Sequence, residues 1–111
     1  MKMSPILLSA RCYKLTANKT KLYALVKRHY ENLPPMRATQ FIKYPRTRDY
    51  ALDFYDGSFH HFFFSVCAGI PSLAHRIETY DEDGDRITDW DVISLEMSEL
   101  HELALLEEAA K

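Results

Sequence analysis

Asp53 and His60 are the two side chains of this sequence whose types and spacing best suit acid–base chemistry. Asp56-Gly57 lies between them and favours a two-residue type I′ hairpin loop, because Asp-Gly readily adopts the positive φ values that this turn needs. Such a loop would place Asp53 opposite His60 on neighbouring antiparallel strands. A carboxylate raises the basicity of an imidazole and fixes its tautomer, so His60 is the candidate base of a small hydrolase. We favour a structural pair, because no serine or cysteine stands in a distinctive nucleophile context.

No cofactor is expected beside that pair. A phosphate-binding loop or a dinucleotide fingerprint needs clustered glycines before a helix, whereas the three glycines of this chain stand apart. The two cysteines and five histidines lack the close spacing of zinc ligands. Segment 81–85 does not fit a calcium loop, because alignment on Gly84 places Trp90 where a bidentate glutamate is required. The sequence therefore predicts no cofactor, no metal site and no enzyme.

The distribution of charge points more directly to function. Residues 1–50 contain eleven basic and two acidic residues, a net charge of +9, whereas residues 51–111 contain three basic and fourteen acidic residues, a net charge of −11. The total of −2 hides this division. Charge asymmetry of this kind indicates binding of a charged partner and says little about the fold.

The acidic half favours a protein partner, because carboxylates along a projecting hairpin speed association with a basic surface. We interpret the chain as a small non-catalytic binding protein. By analogy of size and charge, it would be an inhibitor or modulator of a nucleic-acid-handling complex, of the kind that phages and mobile elements encode. The candidate contact residues are Lys27, Arg28, Lys43, Arg46 and Arg48 on the basic side, and Asp81, Asp83, Asp85 and Asp89 on the acidic side.

Three alternatives use the same charges. The basic half could neutralise phosphates of a single-stranded nucleic acid while Tyr44 or Tyr50 stacks on a base, although the isoelectric point of 6.2 is low for such a module. The two halves could also neutralise each other as ordinary surface ion pairs. Basic and acidic faces of two copies could instead form a homo-oligomer.

The predicted setting is the cytoplasm. Two cysteines without a secretory context are expected to be reduced thiols. The longest nearly apolar run, residues 62–73, is shorter than the roughly 20 residues that cross a bilayer, so no membrane association is expected. Residues 6–8 are apolar but too few for a secretory signal, and we interpret them as part of a strand.

One α+β domain covering residues 1–111 must position these side chains. An apolar stripe with helical spacing from Leu22 to Leu33 predicts a helix that begins near Asn18 or Thr20 and stops before Pro34-Pro35. A second helix is predicted from Met97 onward. Strands are predicted over residues 6–15, 39–44, 49–56, 58–67, 73–81 and 86–95. The order β-α-β-β-β-β-β-α predicts an antiparallel meander covered by the two helices.

Asp83-Gly84 predicts a second two-residue hairpin loop. That register pairs Asp81 with Arg86, which is favourable. It also sets Glu78 against Asp89, and like charges directly opposite each other destabilise a sheet. A longer turn is therefore left open at this hairpin.

Overall fold

The computed structural model describes residues 16–44 and 50–109, and its centre is a five-stranded antiparallel sheet in which the strands neighbour one another in chain order. The predicted α+β meander with two flanking helices is confirmed, while the predicted strand over residues 6–15 lies outside the described residues. The helices are α1 (Lys19–His29) and α2 (Met97–Ala109), with a short 3₁₀ helix at Met36–Ala38. The strands are β1 (Gln40–Lys43), β2 (Tyr50–Tyr55), β3 (Phe59–Cys67), β4 (Ile70–Tyr80) and β5 (Arg86–Ser94).

Helix α1 begins where its capping residue predicts. The Asn18 side-chain oxygen accepts a hydrogen bond from the Lys21 amide at 3.2 Å, which satisfies one of the amides that lack an intrahelical partner. The helix ends at His29, before the predicted stop at the diproline, because Tyr30 turns to an extended conformation. Its ring then packs at a tilt on Phe54 and Phe62 of the sheet. Tertiary packing thus shortens a helix that periodicity alone would extend.

The core lies between one face of the sheet and both helices. Residues that alternate along β2, β3 and β4 point to this face, and removal of each large side chain from water stabilises the fold by roughly 1.5–3 kcal/mol. The buried cluster consists of Leu22, Leu25, Val26, Leu52, Phe54, Phe62, Phe64, Leu73, Leu95, Leu100 and Leu103.

The loop between β2 and β3 has three residues, Asp56, Gly57 and Ser58, so the predicted two-residue loop is wrong. Asp53 consequently pairs with His61, and the predicted pairing of Asp53 with His60 is wrong by one residue. Gly57 has a φ of 102°, which an L-residue rarely adopts.

Hydrophobic burial explains this register. With the three-residue loop, Leu52 and Phe62 are direct partners, and they share one face with Phe54 and Phe64. A two-residue loop would have placed Phe62 and Phe64 on the face opposite to Leu52 and Phe54. A slip of one residue moves a whole set of side chains across the sheet, so the single apolar core selects the longer loop.

The β4–β5 hairpin is also one residue out of the predicted register. Tyr80 pairs with Arg86, and Gly84 takes a φ of 82° in the turn. Glu78 pairs with Thr88 instead of Asp89, which removes the like-charge pair that made a longer turn plausible. Glu78 instead lies within ion-pair distance of Arg76 and Arg86, at 3.5 and 4.0 Å.

A third hairpin, which sequence reasoning missed, joins β3 to β4 through Ala68 and Gly69. Both residues have positive φ, 52° and 79°, which is the signature of a type I′ turn. Cys67 pairs with Ile70 across it, so β4 begins three residues earlier than predicted. Alanine at the first position gives no turn signal, because an L-residue pays for this conformation.

We expect Gly69→Ala to lower the free energy of unfolding by about 1 kcal/mol, because the new Cβ would force a left-handed backbone on an L-residue. No atom lies within 4 Å of that Cβ position, so the cost is conformational alone. The matched variant Ala68→Gly relieves the same strain but gains unfolded-state entropy, and should stay within about 0.5 kcal/mol of the parent. Urea unfolding measures both. Equal destabilisation by the two substitutions would contradict the type I′ assignment.

Candidate functional site

The predicted acidic contact residues all lie at the outer end of the β4–β5 hairpin. Asp81, Asp83, Asp85 and Asp89 are exposed there. Asp81 has a structural task as well, because its Oδ1 accepts hydrogen bonds from the amides of Asp83 and Asp85 at 2.9 and 2.8 Å. The other three carboxylates project from a turn that Asp81 holds in shape.

Exposed apolar side chains accompany these acids, a feature that charge counting had not predicted. All residues from 80 to 92 are exposed. Tyr80 and Trp90 keep 70% and 57% of their surface in water, and Ile87 and Val92 keep 44% and 50%. The strand register places Tyr80, Trp90 and Val92 on one face of the sheet. The hairpin therefore combines a negative field with an aromatic surface.

Trp90 is held in place despite its exposure. The guanidinium of Arg76, its partner residue in β4, lies 5.9 Å from the ring centroid, a distance at which the cation is attracted to the ring face. Phe63 meets the ring edge-on at 6.2 Å. A ring held by two neighbouring side chains loses little freedom on binding, which favours its use as a contact residue.

The predicted basic contact residues that the structure describes lie on two different elements. Lys27 is exposed on α1, and Lys43 is exposed on β1, with its Nζ 5.9 Å from the Tyr50 ring centroid. Arg28 forms an ion pair with Glu102 of α2. Arg46 and Arg48 lie outside the described residues.

The two charge halves therefore meet between the helices. Besides the ion pair of Arg28 with Glu102, His29 Nε2 lies 2.8 Å from Glu99 Oε2. Lys19 donates to the Thr39 carbonyl at 3.0 Å, and Lys21 is buried. Part of the positive charge of α1 is thus paired or buried, whereas the hairpin acids are exposed.

Two hydrogen-bonded histidine clusters replace the predicted dyad of Asp53 and His60. In the first cluster, His60 Nε2 lies 2.7 Å from Asp56 Oδ1, and His60 Nδ1 lies 2.8 Å from His75 Nε2. Because a carboxylate only accepts, His60 donates from Nε2 to Asp56, and one proton lies between His60 Nδ1 and His75 Nε2. Tyr30 donates to the other oxygen of Asp56 at 3.2 Å.

Burial decides the protonation of this first cluster. Desolvation, together with the neighbouring charge of His60, lowers the pKa of His75 from 6.5 to about 4. Desolvation alone would raise the pKa of Asp56, but the hydrogen bond and charge of His60 outweigh it, and that pKa is lowered. The pKa of Tyr30 is raised by desolvation and by the negative charge of Asp56. The cluster thus keeps His75 neutral and Asp56 ionised at neutral pH.

The second cluster lies on the opposite face of the sheet and joins Asp53, His61 and Tyr44. Asp53 Oδ1 lies 2.6 Å from His61 Nδ1, and both side chains are buried. His61 Nε2 lies 3.0 Å from the hydroxyl of Tyr44, whose ring stands edge-on to the imidazole. Asp53 is therefore a histidine partner as predicted, but of His61. Tyr44, at the end of β1, was predicted only as a stacking platform.

Two further observations concern metal binding and membrane-spanning helices. Within residues 16–44 and 50–109, no group of three or more His, Cys, Asp or Glu side chains is arranged to hold a metal ion. In the same residues, no helix is long and apolar enough to span a bilayer.

No protein-family model, curated protein or solved structure matches the chain.

Proposed function

We propose that this chain is a binding protein whose contact surface is the outer part of the β4–β5 hairpin, residues 80–92, and whose partner is a protein with a basic surface. The observation that carries the proposal is the unbroken exposure of these residues, with Trp90 and Tyr80 set among carboxylates. We refer to residues 80–92 as the acidic hairpin.

Its composition suits a protein interface. The acidic hairpin contains six acids and one base, and a field of one sign steers an oppositely charged partner into contact. Tryptophan and tyrosine are enriched among the residues that dominate binding energy. Carboxylates alone would speed association with the partner. The apolar rings add surface area, and the burial of that area stabilises the complex.

Single-stranded nucleic acid is the weaker candidate ligand. The acidic hairpin would repel phosphates, and three basic residues of α1 are bound or buried within the fold: Lys19, Lys21 and Arg28. A nucleic-acid site would therefore depend on Lys27, Lys43 and the segment that contains Arg46 and Arg48. That the protein partner belongs to a nucleic-acid-handling complex, and that the setting is cytoplasmic, remain proposals from size, charge and cysteine content.

A charge-reversal pair tests the proposal. Asp83 and Asp89 are exposed on the acidic hairpin, and Lys27 and Lys43 are exposed elsewhere. We expect the double variant Asp83→Lys/Asp89→Lys to lose its protein partner, because two attractive charges become repulsive, and the matched variant Lys27→Glu/Lys43→Glu to keep it. The measurement is capture on each immobilised variant from a cytosolic lysate, with and without nuclease treatment and at low and high salt, with identification by mass spectrometry.

The outcomes separate the hypotheses. A captured protein that is lost at high salt and lost only from the hairpin variant supports the proposal. Capture that disappears after nuclease treatment, or that is lost only in Lys27→Glu/Lys43→Glu, would assign the function to the basic residues. Equal capture by all variants would exclude an electrostatic contact at either place.

A further inference from the structure

We propose that Tyr44, His61 and Asp53 form a nucleophile, base and orienting carboxylate, and that Tyr44 accepts a phosphoryl group from a phosphate ester. This inference goes beyond binding at the acidic hairpin and does not depend on it. It corrects the view that the chain lacks a nucleophile, because a tyrosine hydroxyl is one of the groups that form covalent intermediates when a base is within hydrogen-bond reach.

The geometry fixes the direction of the hydrogen bonds. Asp53 Oδ1, 2.6 Å from His61 Nδ1, can only accept, so Nδ1 carries a proton. In the neutral imidazole the lone pair is then on Nε2, which accepts from the Tyr44 hydroxyl at 3.0 Å. Both His61 and Asp53 are almost fully buried, whereas 38% of Tyr44 is exposed. A buried base thus faces the hydroxyl of a partly exposed tyrosine, which is the arrangement that activates a nucleophile.

Two other tyrosine hydroxyls show the contrast. Tyr30 donates to the carboxylate of Asp56, which raises its pKa, and Tyr23 donates to the carbonyl of Pro34 at 2.7 Å. Neither acceptor can take up the phenol proton at neutral pH as an imidazole can. The partner of Tyr44 is the group suited to general-base catalysis.

Arg76 indicates which electrophile the site would take. It is the direct partner of His61 in β4, so the two side chains share a face of the sheet. Its side chain is about one-third exposed, and its buried Nε has no hydrogen-bond partner; Glu78 Oε1 lies 3.5 Å away without hydrogen-bond geometry. A guanidinium on the same face as the base can bind phosphate oxygens and stabilise the charge that develops in their transfer. A phosphate ester is therefore the expected substrate class.

The proposed step is a balanced displacement. The Tyr44 oxygen attacks phosphorus while its proton passes to His61 Nε2, and the bond from phosphorus to the leaving oxygen breaks. His61 then gives the proton to that oxygen, so the products are a tyrosyl phosphoester and an alcohol. Asp53 stays ionised throughout and stabilises the transient imidazolium.

A fluorophosphonate probe tests the nucleophile without a known substrate, because attack on its phosphorus releases fluoride. We expect peptide mass spectrometry of the labelled full chain to show Tyr44 modified at least 10-fold faster than Tyr55 and Tyr80. These two are more exposed, at 72% and 70%, so they serve as internal controls for accessibility. Labelling that follows exposure, with Tyr55 or Tyr80 at least as fast as Tyr44, would overturn the proposal.

One variant and one pH profile separate catalysis from structure. Asp53→Asn should slow labelling of Tyr44 by about 100-fold, because an amide permits the wrong imidazole tautomer, while labelling of Tyr55 and Tyr80 stays unchanged. In case that variant unfolds, the pH profile of the parent gives a second readout. The Tyr44 rate should reach a plateau as pH rises, because general-base catalysis does not require the free phenolate, and should not keep rising up to about pH 10. An unchanged Tyr44 rate in folded Asp53→Asn, or a rise that continues to that pH, would refute the relay.

Discussion

Replacement of Trp90 by alanine is expected to weaken binding of the partner held by the acidic hairpin by about 100-fold, which corresponds to about 2.7 kcal/mol. Trp90 is the largest exposed apolar side chain of this surface, and Arg76 and Phe63 hold its ring in place. Because a pre-positioned ring loses little entropy on binding, most of the area that it buries contributes to affinity. The exposed position limits the cost in unfolding free energy to about 1 kcal/mol.

Tyr55 provides the matched control. It is exposed on the same face of the sheet but on β2, which β3 separates from the two strands of the acidic hairpin. Tyr55→Ala should change affinity less than 3-fold, which is the usual outcome for an exposed residue outside the contact. Isothermal titration calorimetry with the captured partner measures both variants. An equal loss in the two variants, or no loss in Trp90→Ala, would remove the hairpin from the interface.

The tryptophan also reports the contact directly. The chain contains a single tryptophan, so intrinsic tryptophan fluorescence comes from the hairpin alone. A partner that buries the ring should shift its emission to shorter wavelength. A partner that binds without such a shift would contact another part of the chain.

The fold was predictable because its determinants are local. The apolar stripe and the Asn18 cap lie within one stretch of chain and identify α1. The meander follows from short strands separated by turn residues. The end of α1 was misjudged, because Tyr30 leaves the helix to pack on rings of β2 and β3, and contacts between distant segments cannot be read from periodicity.

The candidate sites were less predictable, because they depend on register. One additional loop residue, Ser58, moves Asp53 from His60 to His61 and brings His60 to His75 and Asp56. The choice of loop length is made by burial of Leu and Phe side chains on three strands at once. The sequence of β3 does not reveal this choice, because Phe59 and Phe63 lie on one face of that strand and Phe62 and Phe64 on the other.

The sequence indicates two further contacts, His60 with His75 and Tyr44 with His61, even more weakly. His75 meets His60 through the β3–β4 hairpin, whose first turn residue, Ala68, does not predict a turn. Tyr44 and His61 are 17 residues apart, at the end of one strand and within another. The exposure of Trp90 follows from its place on β5, the last strand of the described sheet.

The neutral state of His75 predicts a loss of stability in mild acid. Its pKa is about 4 in the folded chain and about 6.5 when unfolded. Between these values the unfolded chain binds a proton that the folded chain does not, so the free energy of unfolding falls as pH decreases. The stabilisation is fully present above pH 6.5 and is lost progressively down to pH 4. The free energy of unfolding should fall by roughly 3 kcal/mol in total, at up to about 1.4 kcal/mol per pH unit.

The groups around His75 determine this sign. His60 in β3 and burial against Phe62 disfavour the imidazolium, whereas the carboxylates of Asp56 and Asp91 favour it. Asp91 is exposed on the neighbouring strand β5, where solvent screens its charge. Desolvation therefore outweighs the attraction. The lowered pKa of Asp56 adds a loss of stability of the same sign, but only as pH falls below 3.8.

Denaturant unfolding between pH 7.5 and pH 4 measures this effect. In His75→Phe the new ring can still stack on Phe62, but nothing titrates at position 75. The slope of the free energy of unfolding against pH, taken between pH 6.5 and pH 4, should therefore fall by the equivalent of about one proton per molecule. The exposed His101 provides the control, and His101→Gln should keep the parent slope. The comparison uses slopes and not absolute stabilities, because His60 loses a hydrogen-bond partner in His75→Phe at every pH. A parent slope retained in His75→Phe would place the acid sensitivity at a different residue.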